Sequence, residues 1–428
     1  MNVLSDETPS QSETFRAFGK IGLLSFGGPA AQIALMHKVL VDEKKWLTEQ
    51  QFLNALSFCM LLPGPEAMQF ATYSGWRIHG VLGGLIAGLL FVLPGAFVIL
   101  ALASIYAYFG NVPLVSALFL GVKATVLIIV IEALLKVSKR ALKQRVHWVI
   151  AALAFIGIFF LSLPFPLIIF TAALYGFFFA SNVADEVVVP QALSRANLWQ
   201  SLQTIVIWLA IWVVPIVLID QFSSSEILIT LGAFFSKLAI VTFGGAYAVL
   251  AYMAQDVVVN FGWLSAGEMM DGLGLAETTP GPLILVTEFV GFLAAFREGG
   301  FWLGVSGAVI TLWVTFVPCF LWIFLGAPYI EWISAQPRLN GALTAITASV
   351  VGVILNLSIW FGLHVMFENV TKQQYGVLTI WEPELVSIDW RVVVLSVLSM
   401  VLLLKLHWGL VKVLVISALL SWLMTSFL

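Results

Sequence analysis

The sequence predicts an all-α polytopic membrane protein made of two inverted-topology repeats whose helices are broken or re-entrant. Three observations predict it. First, 61% of the residues are apolar and only 10% are charged, against about 25% charged in a soluble domain. Apolar runs of about 20 residues read as spanning helices, and they lack the alternation of a membrane β-barrel. Second, one pattern occurs twice. Phe26-Gly27-Gly28, Trp46-Leu47 and Pro63-Gly64-Pro65 return as Phe243-Gly244-Gly245, Trp263-Leu264 and Pro280-Gly281-Pro282, each pair 217 positions apart (26 to 243, 46 to 263, 63 to 280). Positions 18 to 65 align with the second copy over 48 positions without a gap and with 15 identities, so an internal duplication governs the reading. Third, both copies interrupt apolar sequence with Pro-Gly-Pro, which stops a helix. Inside a bilayer such a break is tolerated only within protein or beside water.

In chain order, residues 1–14 are polar and lack the basic head and apolar centre of a signal peptide. They read as a cytoplasmic tail, which places the protein in the cell (inner or plasma) membrane with its N-terminus inside. Residues 15–182 form the N-terminal repeat. Phe15 to His37 is broken at Gly27-Gly28-Pro29. The polar stretch from Val41 to Gln51 reaches a surface. Phe52–Leu62 and Ala67–Trp76 are too short to span and flank Pro-Gly-Pro, and Val81–Phe109 is long enough to cross. Gly80, Gly84 and Gly88 share the four-residue spacing that lets helices approach closely. Val115–Leu135 is a further span. The basic loop after it (Lys136, Lys139, Arg140, Lys143, Arg145) marks the cytoplasmic side. Residues 183–226 read as a linker carrying one extra transmembrane helix, Leu198–Ile219. Residues 227–428 form the C-terminal repeat. Its loop from Phe367 to Trp390, matching the basic one, holds Glu368, Glu382, Glu384 and Asp389 and reads as external. An odd linking helix inverts the second copy, and inverted repeats place a substrate near mid-membrane at their interface.

Several classes of function are excluded. Gly19-Lys20 lacks the flanking residues of a phosphate-binding loop. Cys59 and Cys319 stand alone in apolar sequence and make neither a disulfide framework nor a metal site. Neither a cofactor nor a metal is implied, and an embedded reductase, which needs a redox centre, is disfavoured; the chain does not read as an enzyme. The net charge of −3 offers nucleic acid no basic patch, so the bilayer is the expected surrounding. Small-residue helix faces are compatible with a homodimer and equally with internal packing.

At Phe26-Gly27-Gly28-Pro29, Trp46-Leu47 and Pro63-Gly64-Pro65-Glu66, followed by Gln69 and Arg77, the sequence resembles the chromate transporter family in its long two-domain form. The second half carries the resemblance through Phe243-Gly244-Gly245, Trp263-Leu264, Thr279-Pro280-Gly281-Pro282 and Pro318. The resemblance runs from Phe15 to the C-terminus. It implies export of chromate by secondary transport, with sulfate the competing oxyanion and a passive anion channel the other mechanism.

An oxyanion in a membrane needs donors and positive potential, which a half-helix N-terminus supplies. The half-helices after Pro63-Gly64-Pro65 and Pro280-Gly281-Pro282 are the first candidates, and those at Gly27, Gly28, Gly244 and Gly245 the second. Lys20 and Lys237 are a matched pair that either meets the anion or snorkels to the surface. Arg77 and Arg297 match at offset 220 and serve as an oxyanion fork or as interfacial anchors. Lys123, mid-span, is a substrate or gate candidate, with Glu132 its nearest indirect partner in sequence. Gln69, Thr278 and Thr279 are side-chain donors. Glu66, Glu277 and Glu288, with Asp271 nearby in sequence, are carboxylates that either cap half-helices or carry a coupled proton; Glu66 reads as a cap, and Glu277, just before Thr278-Thr279-Pro280, is the better proton candidate.

Overall fold

The computed structural model describes residues 9–179, 195–222, 225–243, 246–334 and 336–427. Gly244, Gly245 and linker positions 183–194 lie outside the described residues, as do positions 1–8 of the tail. In chain order the helices are α1 (Gln11–Leu24), α2 (Gly28–His37), α3 (Glu49–Leu61), α4 (Glu66–Phe109), α5 (Pro113–Ala141), α6 (Arg145–Phe159), α7 (Phe165–Phe179) and α8 (Arg195–Phe222). There follow α9 (Glu226–Val241), α10 (Ala246–Gln255), α11 (Ala266–Thr278), α12 (Val286–Gly326), α13 (Ile330–Ser334) and α14 (Pro337–Met366). A hairpin of β1 (Val370–Tyr375) and β2 (Leu378–Pro383) precedes α15 (Trp390–Met400) and α16 (Leu410–Phe427). Among the described residues six stretches are long and apolar enough to cross a membrane: Glu66–Phe109, Pro113–Ala141, Leu198–Phe222, Leu283–Tyr329, Pro337–Met366 and Leu410–Phe427.

The duplication is visible in local geometry. Each copy turns at its Trp-Leu by the same wide-turn bonds: Lys44 N donates to Val39 O (3.0 Å) and Trp46 N to Leu40 O (2.8 Å), while Phe261 N donates to Asp256 O and Trp263 N to Val257 O (both 2.9 Å). The next helix is started each time by a capping box. Thr48 and Gln51 open α3, and Ser265 and Glu268 open α11. Each box satisfies two otherwise orphaned amides.

The chain divides into two compact units, each drawing on both copies. One comprises Met1–Ala103, Asn182–Ala246 and Thr279–Asn340. Here α4 is two helices joined by a reversal at His79 (φ −131°) and Gly80 (φ 62°, ψ −152°). α12 reverses in the same way at Gly299 (φ −146°) and Gly300 (φ 76°, ψ −163°). A residue with a Cβ is strained at such a positive φ. The arms on either side pack through small residues: a Cβ on Gly75 would overlap the Gly83 carbonyl, and one on Gly291 would overlap Thr311 Oγ1. Gly80 therefore forms the turn, while Gly84 and Gly88 face Phe324 and Phe320, which corrects the expectation of one three-glycine face. The arm before each reversal, about 14 residues or roughly 21 Å long, is shorter than the ~30 Å hydrocarbon core.

The other unit comprises Ser104–Ser181, Tyr247–Thr278 and Gly341–Leu428. α5 is its centre and packs on α11, α15 and α16. A Cβ on Gly121 would overlap the Ser417 carbonyl, and one on Gly352 the Ala151 carbonyl, so backbone meets backbone at both crossings, as small residues permit. Buried hydroxyls join α5, α15 and α16: Thr125 bonds Ser399 (2.9 Å), which bonds Ser417 (3.0 Å). The expected external loop from Phe367 to Trp390 is more ordered than a loop. Its β1–β2 ladder runs from Val370↔Pro383 to Tyr375↔Leu378 across a two-residue turn at Gly376 (φ 62°) and Val377, the tight connection that hairpins favour.

Candidate functional site

The broken helices meet in pairs within the first unit. The Pro-Gly-Pro tip of the first copy bonds to the second: Gly64 N donates to Thr242 O at 2.9 Å. The second copy answers with Gly281 N donating to Ser25 O, also at 2.9 Å. Ser25 and Thr242 are equivalent positions (25 to 242, offset 217), each just before a Phe-Gly-Gly. Each returns its hydroxyl to its own helix, Ser25 Oγ to Ile21 O and Thr242 Oγ1 to Leu238 O, which leaves the carbonyl for the other copy. The tips also sit against each other's proline-bearing helix. Gly64 faces Cys319, and Gly281 faces Phe91 and Gly95; Gly95 and Cys319 follow the equivalent Pro94 and Pro318. The exchange is reciprocal: each tip's glycine amide bonds the equivalent carbonyl of the other copy.

Both tips need glycine. Gly64 has φ 125° and Gly281 φ 91°, outside the range of ordinary residues. Gln32, in α2, clamps the second tip by donating Nε2 to Gly281 O at 2.6 Å; its equivalent is Val249, so the clamp belongs to one side only. Gln69 performs a related task on the first tip, donating Nε2 to Pro63 O at 2.7 Å. Phe52 and Phe70 lie 4.6 Å apart and Phe58 and Tyr73 6.2 Å apart, so α3 folds back on the first arm of α4 and the chain re-enters at the tip. Pro63 is half-buried, and Gly64, Pro65, Pro280, Gly281 and Pro282 are buried, whereas Gly27 is exposed and Gly28 intermediate. The first amides of α4 (Glu66, Ala67, Met68) have no carbonyl one turn back within their own helix.

The predicted side chains separate into groups. In the first unit Lys20 is half exposed and pairs with Glu43 at 3.2 Å, and Lys237 and Arg297 are exposed. Arg77 donates to Tyr73 Oη at 3.4 Å. Thr279 is buried, and Glu66 is half-buried in the first turn of α4. Glu288 is 1% exposed, with Oε2 buried and without a partner. Thr311 and Thr315 in the second arm of α12 likewise hold buried, partnerless hydroxyls.

In the second unit Thr278 bonds back to Leu275 O (2.9 Å), and Tyr247 Oη donates to buried Glu277 at 2.7 Å. Lys123 does not lean toward Glu132, which pairs with Lys136 at 2.6 Å. Its partner is Asp271 Oδ2 at 3.3 Å, which also accepts from Tyr106 Oη at 2.7 Å. The partner is 148 positions away in sequence (123 to 271), and no local spacing announces it. Asp271 Oδ1 is buried and unbonded. Gly267 lies within 3.0 Å of the Lys123 ammonium, measured from where its Cβ would stand.

The sequence profile described as Chromate transporter matches residues 12–177 and 229–422, most of the chain and one stretch per copy. The chain belongs to the chromate transporter family. Among relatives of this family, the chromate transport protein of Pseudomonas aeruginosa is 33% identical over 351 residues, 81% of this chain and 79% of that protein. The probable chromate transport protein of Synechococcus elongatus is 28% identical over 348 residues, covering 79% and 82%. The chromate transport protein of Cupriavidus metallidurans is 28% identical over 343 residues, covering 79% of each. No solved structure matches. Family and apolar helices together make this a multi-pass membrane protein concerned with anion transport rather than an enzyme.

Proposed function

We propose that the protein is a secondary active transporter exporting a tetrahedral oxyanion, chromate first and sulfate as the alternative, across the cytoplasmic membrane. The reading rests on the reciprocal bonds of Gly64 to Thr242 and Gly281 to Ser25. Irregular backbone at matching places in two repeats is where transporters of this kind bind substrate. The half-helix amides beyond the two tips, with Thr279, are the donors that meet the anion. The two-fold exchange supports repeats related by an axis in the membrane plane, with the N-terminus and the Lys136–Arg145 loop cytoplasmic.

Glu288 is the leading proton-coupling group, because it is a buried carboxyl whose Oε2 has no partner. Lys123 acts as a gate through its pairing with Asp271 rather than as an open charge. Lys20, Lys237, Arg77 and Arg297 are assigned to the surface as anchors, in keeping with their exposure or partners.

The test is uptake of labelled chromate and sulfate into inverted vesicles with and without an imposed pH gradient. Gradient-driven uptake that is lost in Glu288→Gln, at normal protein level, supports the proposal. Flux indifferent to the gradient replaces the transporter with a channel, and wild-type flux after both Pro-Gly-Pro tips become Ala-Ala-Ala removes the site.

A further inference from the structure

In the second unit, α15 and the wider helical turn that continues it, Val401–Lys405, run from Trp390 to Lys405. Their 11 and 5 residues rise about 24 Å, less than the ~30 Å of the hydrocarbon core. Exposed tryptophans stand at both ends, Trp390 at the start and Trp408 just past the finish, as in the aromatic belts of a bilayer. A span that falls short is met by thinning of the bilayer or by its flanking residues, and the flank here is apolar. The chain leaves β2 through a 3₁₀ turn, Leu385–Ser387, in which Leu385 is 76% and Val386 91% exposed. Val386 stands at helical spacing ahead of the outer stripe of α15. Trp390, Val394, Val397 and Val401 follow at steps of four, four, three and four, and all are exposed. From Trp390 onward that spacing marks one helix face. The opposite face, with Val392, Leu395 and Ser399, is buried, and there Ser399 bonds Thr125 of α5 and Ser417 of α16.

The polar groups around the turn are tied back into the protein. Glu384 N donates to Asn369 O (3.0 Å), Ser387 N to Glu384 O (2.9 Å) and Asp389 N to Met366 O (2.8 Å), while Ser387 O accepts from Glu368 N (3.1 Å). The Glu384 carboxylate accepts from Asn369 Nδ2 at 2.8 Å. Asp389 caps α15 at Arg391 N (2.9 Å) and holds the Arg391 guanidinium with both oxygens, at 3.0 and 2.7 Å. Such a two-pronged pair neutralises its own charge, and backbone that bonds internally tolerates a place where water is scarce.

We infer that Leu385 and Val386 form an interfacial lipid anchor: the turn sinks below the headgroups beside Trp390 and completes the apolar length of α15. The occupant is the bilayer, because the exposed side chains carry on from the stripe that α15 already turns outward. Its attraction is apolar. The segment from Phe367 to Trp390 holds Glu368, Glu382, Glu384 and Asp389 against Lys372, a balance that offers anionic headgroups no basic patch. The anchor does not rest on the transport function proposed above.

The test is nitroxide labelling of Val386→Cys in the full-length protein, reconstituted in phosphatidylcholine liposomes. Val397→Cys, on the outer stripe of α15, is the lipid reference, and Gln374→Cys, exposed on β1, is the water reference. All three positions are exposed, so the label displaces no core. The unsubstituted protein, whose Cys59 and Cys319 are buried, is the blank. Collision with oxygen, which concentrates in lipid, is compared with collision with a water-soluble nickel chelate. The expected result at Val386 is nickel collision several-fold below that at Gln374, with oxygen collision at the level of Val397. The same pattern should appear in phosphatidylglycerol liposomes. Nickel collision equal to that at Gln374 places the turn in water and overturns the inference. Low collision with both reagents means that protein, such as a second copy, covers the turn, and overturns it as well. Protection from nickel in phosphatidylglycerol alone replaces apolar anchoring with headgroup recognition and likewise overturns it.

Discussion

Replacing Gly64 with alanine tests whether the first tip is as constrained as its geometry requires. Its φ of 125° is closed to residues with a Cβ, and holding such a conformation costs on the order of 1–3 kcal/mol. The added methyl would stand 2.7 Å from Gln69 Nε2 and 2.8 Å from Cys319 Sγ, and overpacking of that kind costs about 1–3 kcal/mol more. Gly64→Ala should thus lose roughly 2–6 kcal/mol. Part of this has a named cause that can be removed. Cys319→Ala clears the sulfur, and in the double variant it should recover about 1 kcal/mol, the scale of coupling between touching residues. Gly95→Ala, at the equivalent contact, would press on the Pro280 carbonyl, a backbone atom that no side-chain change can withdraw. Thermal unfolding of the detergent-solubilised protein and chromate flux in vesicles provide the readouts. A Gly64→Ala protein as stable and active as wild type, or a double variant no better than the single, would refute the packing argument.

Three further outcomes are expected. Lys123→Met strands the buried Asp271 carboxylate and should destabilise by roughly 3–5 kcal/mol, as when one partner of a buried pair is removed, while Lys123→Met/Asp271→Asn regains most of the loss; equal midpoints for single and double variants would contradict the pairing. Gln32→Leu should impair transport at a normal level of folded protein, because Gln32 Nε2 clamps the tip of the other copy at Gly281 O (2.6 Å); wild-type flux normalised to folded protein would dismiss the clamp. His37 is held by Glu49 at 2.7 Å, and that bond raises its pKa above the ordinary value. A raised folded-state pKa means the contribution is complete below about pH 6.5 and is lost as pH climbs through the raised value. Wild type should therefore lose more thermal stability than His37→Asn between pH 6 and 8, and parallel curves would dismiss the bond.

Much of this was written in the chain. Pro-Gly-Pro and Phe-Gly-Gly announce breaks because proline and glycine act on the backbone itself, independently of neighbours. The repeat announces matched breaks. What each break touches was hidden. Ser25 and Thr242 present carbonyls, and a carbonyl has no signature in sequence. Lys123 and Asp271 meet across 148 positions, so the nearer Glu132 drew the pairing instead. The hairpin was open to discovery: Val370 to Tyr375 and Leu378 to Trp381 carry β-branched and aromatic residues around Gly376, a recognised hairpin signal.

The exchange of bonds between the copies has a consequence for biogenesis. Gln32 closes on a residue 249 positions later, so the amino-terminal segment leaves the ribosome long before its counterpart exists. Contacts so distant are made late and slowly, so the early segment closes this bond only after the second copy has been synthesised. Two separately translated pieces divided within residues 183–194 would face the same search, merely between molecules.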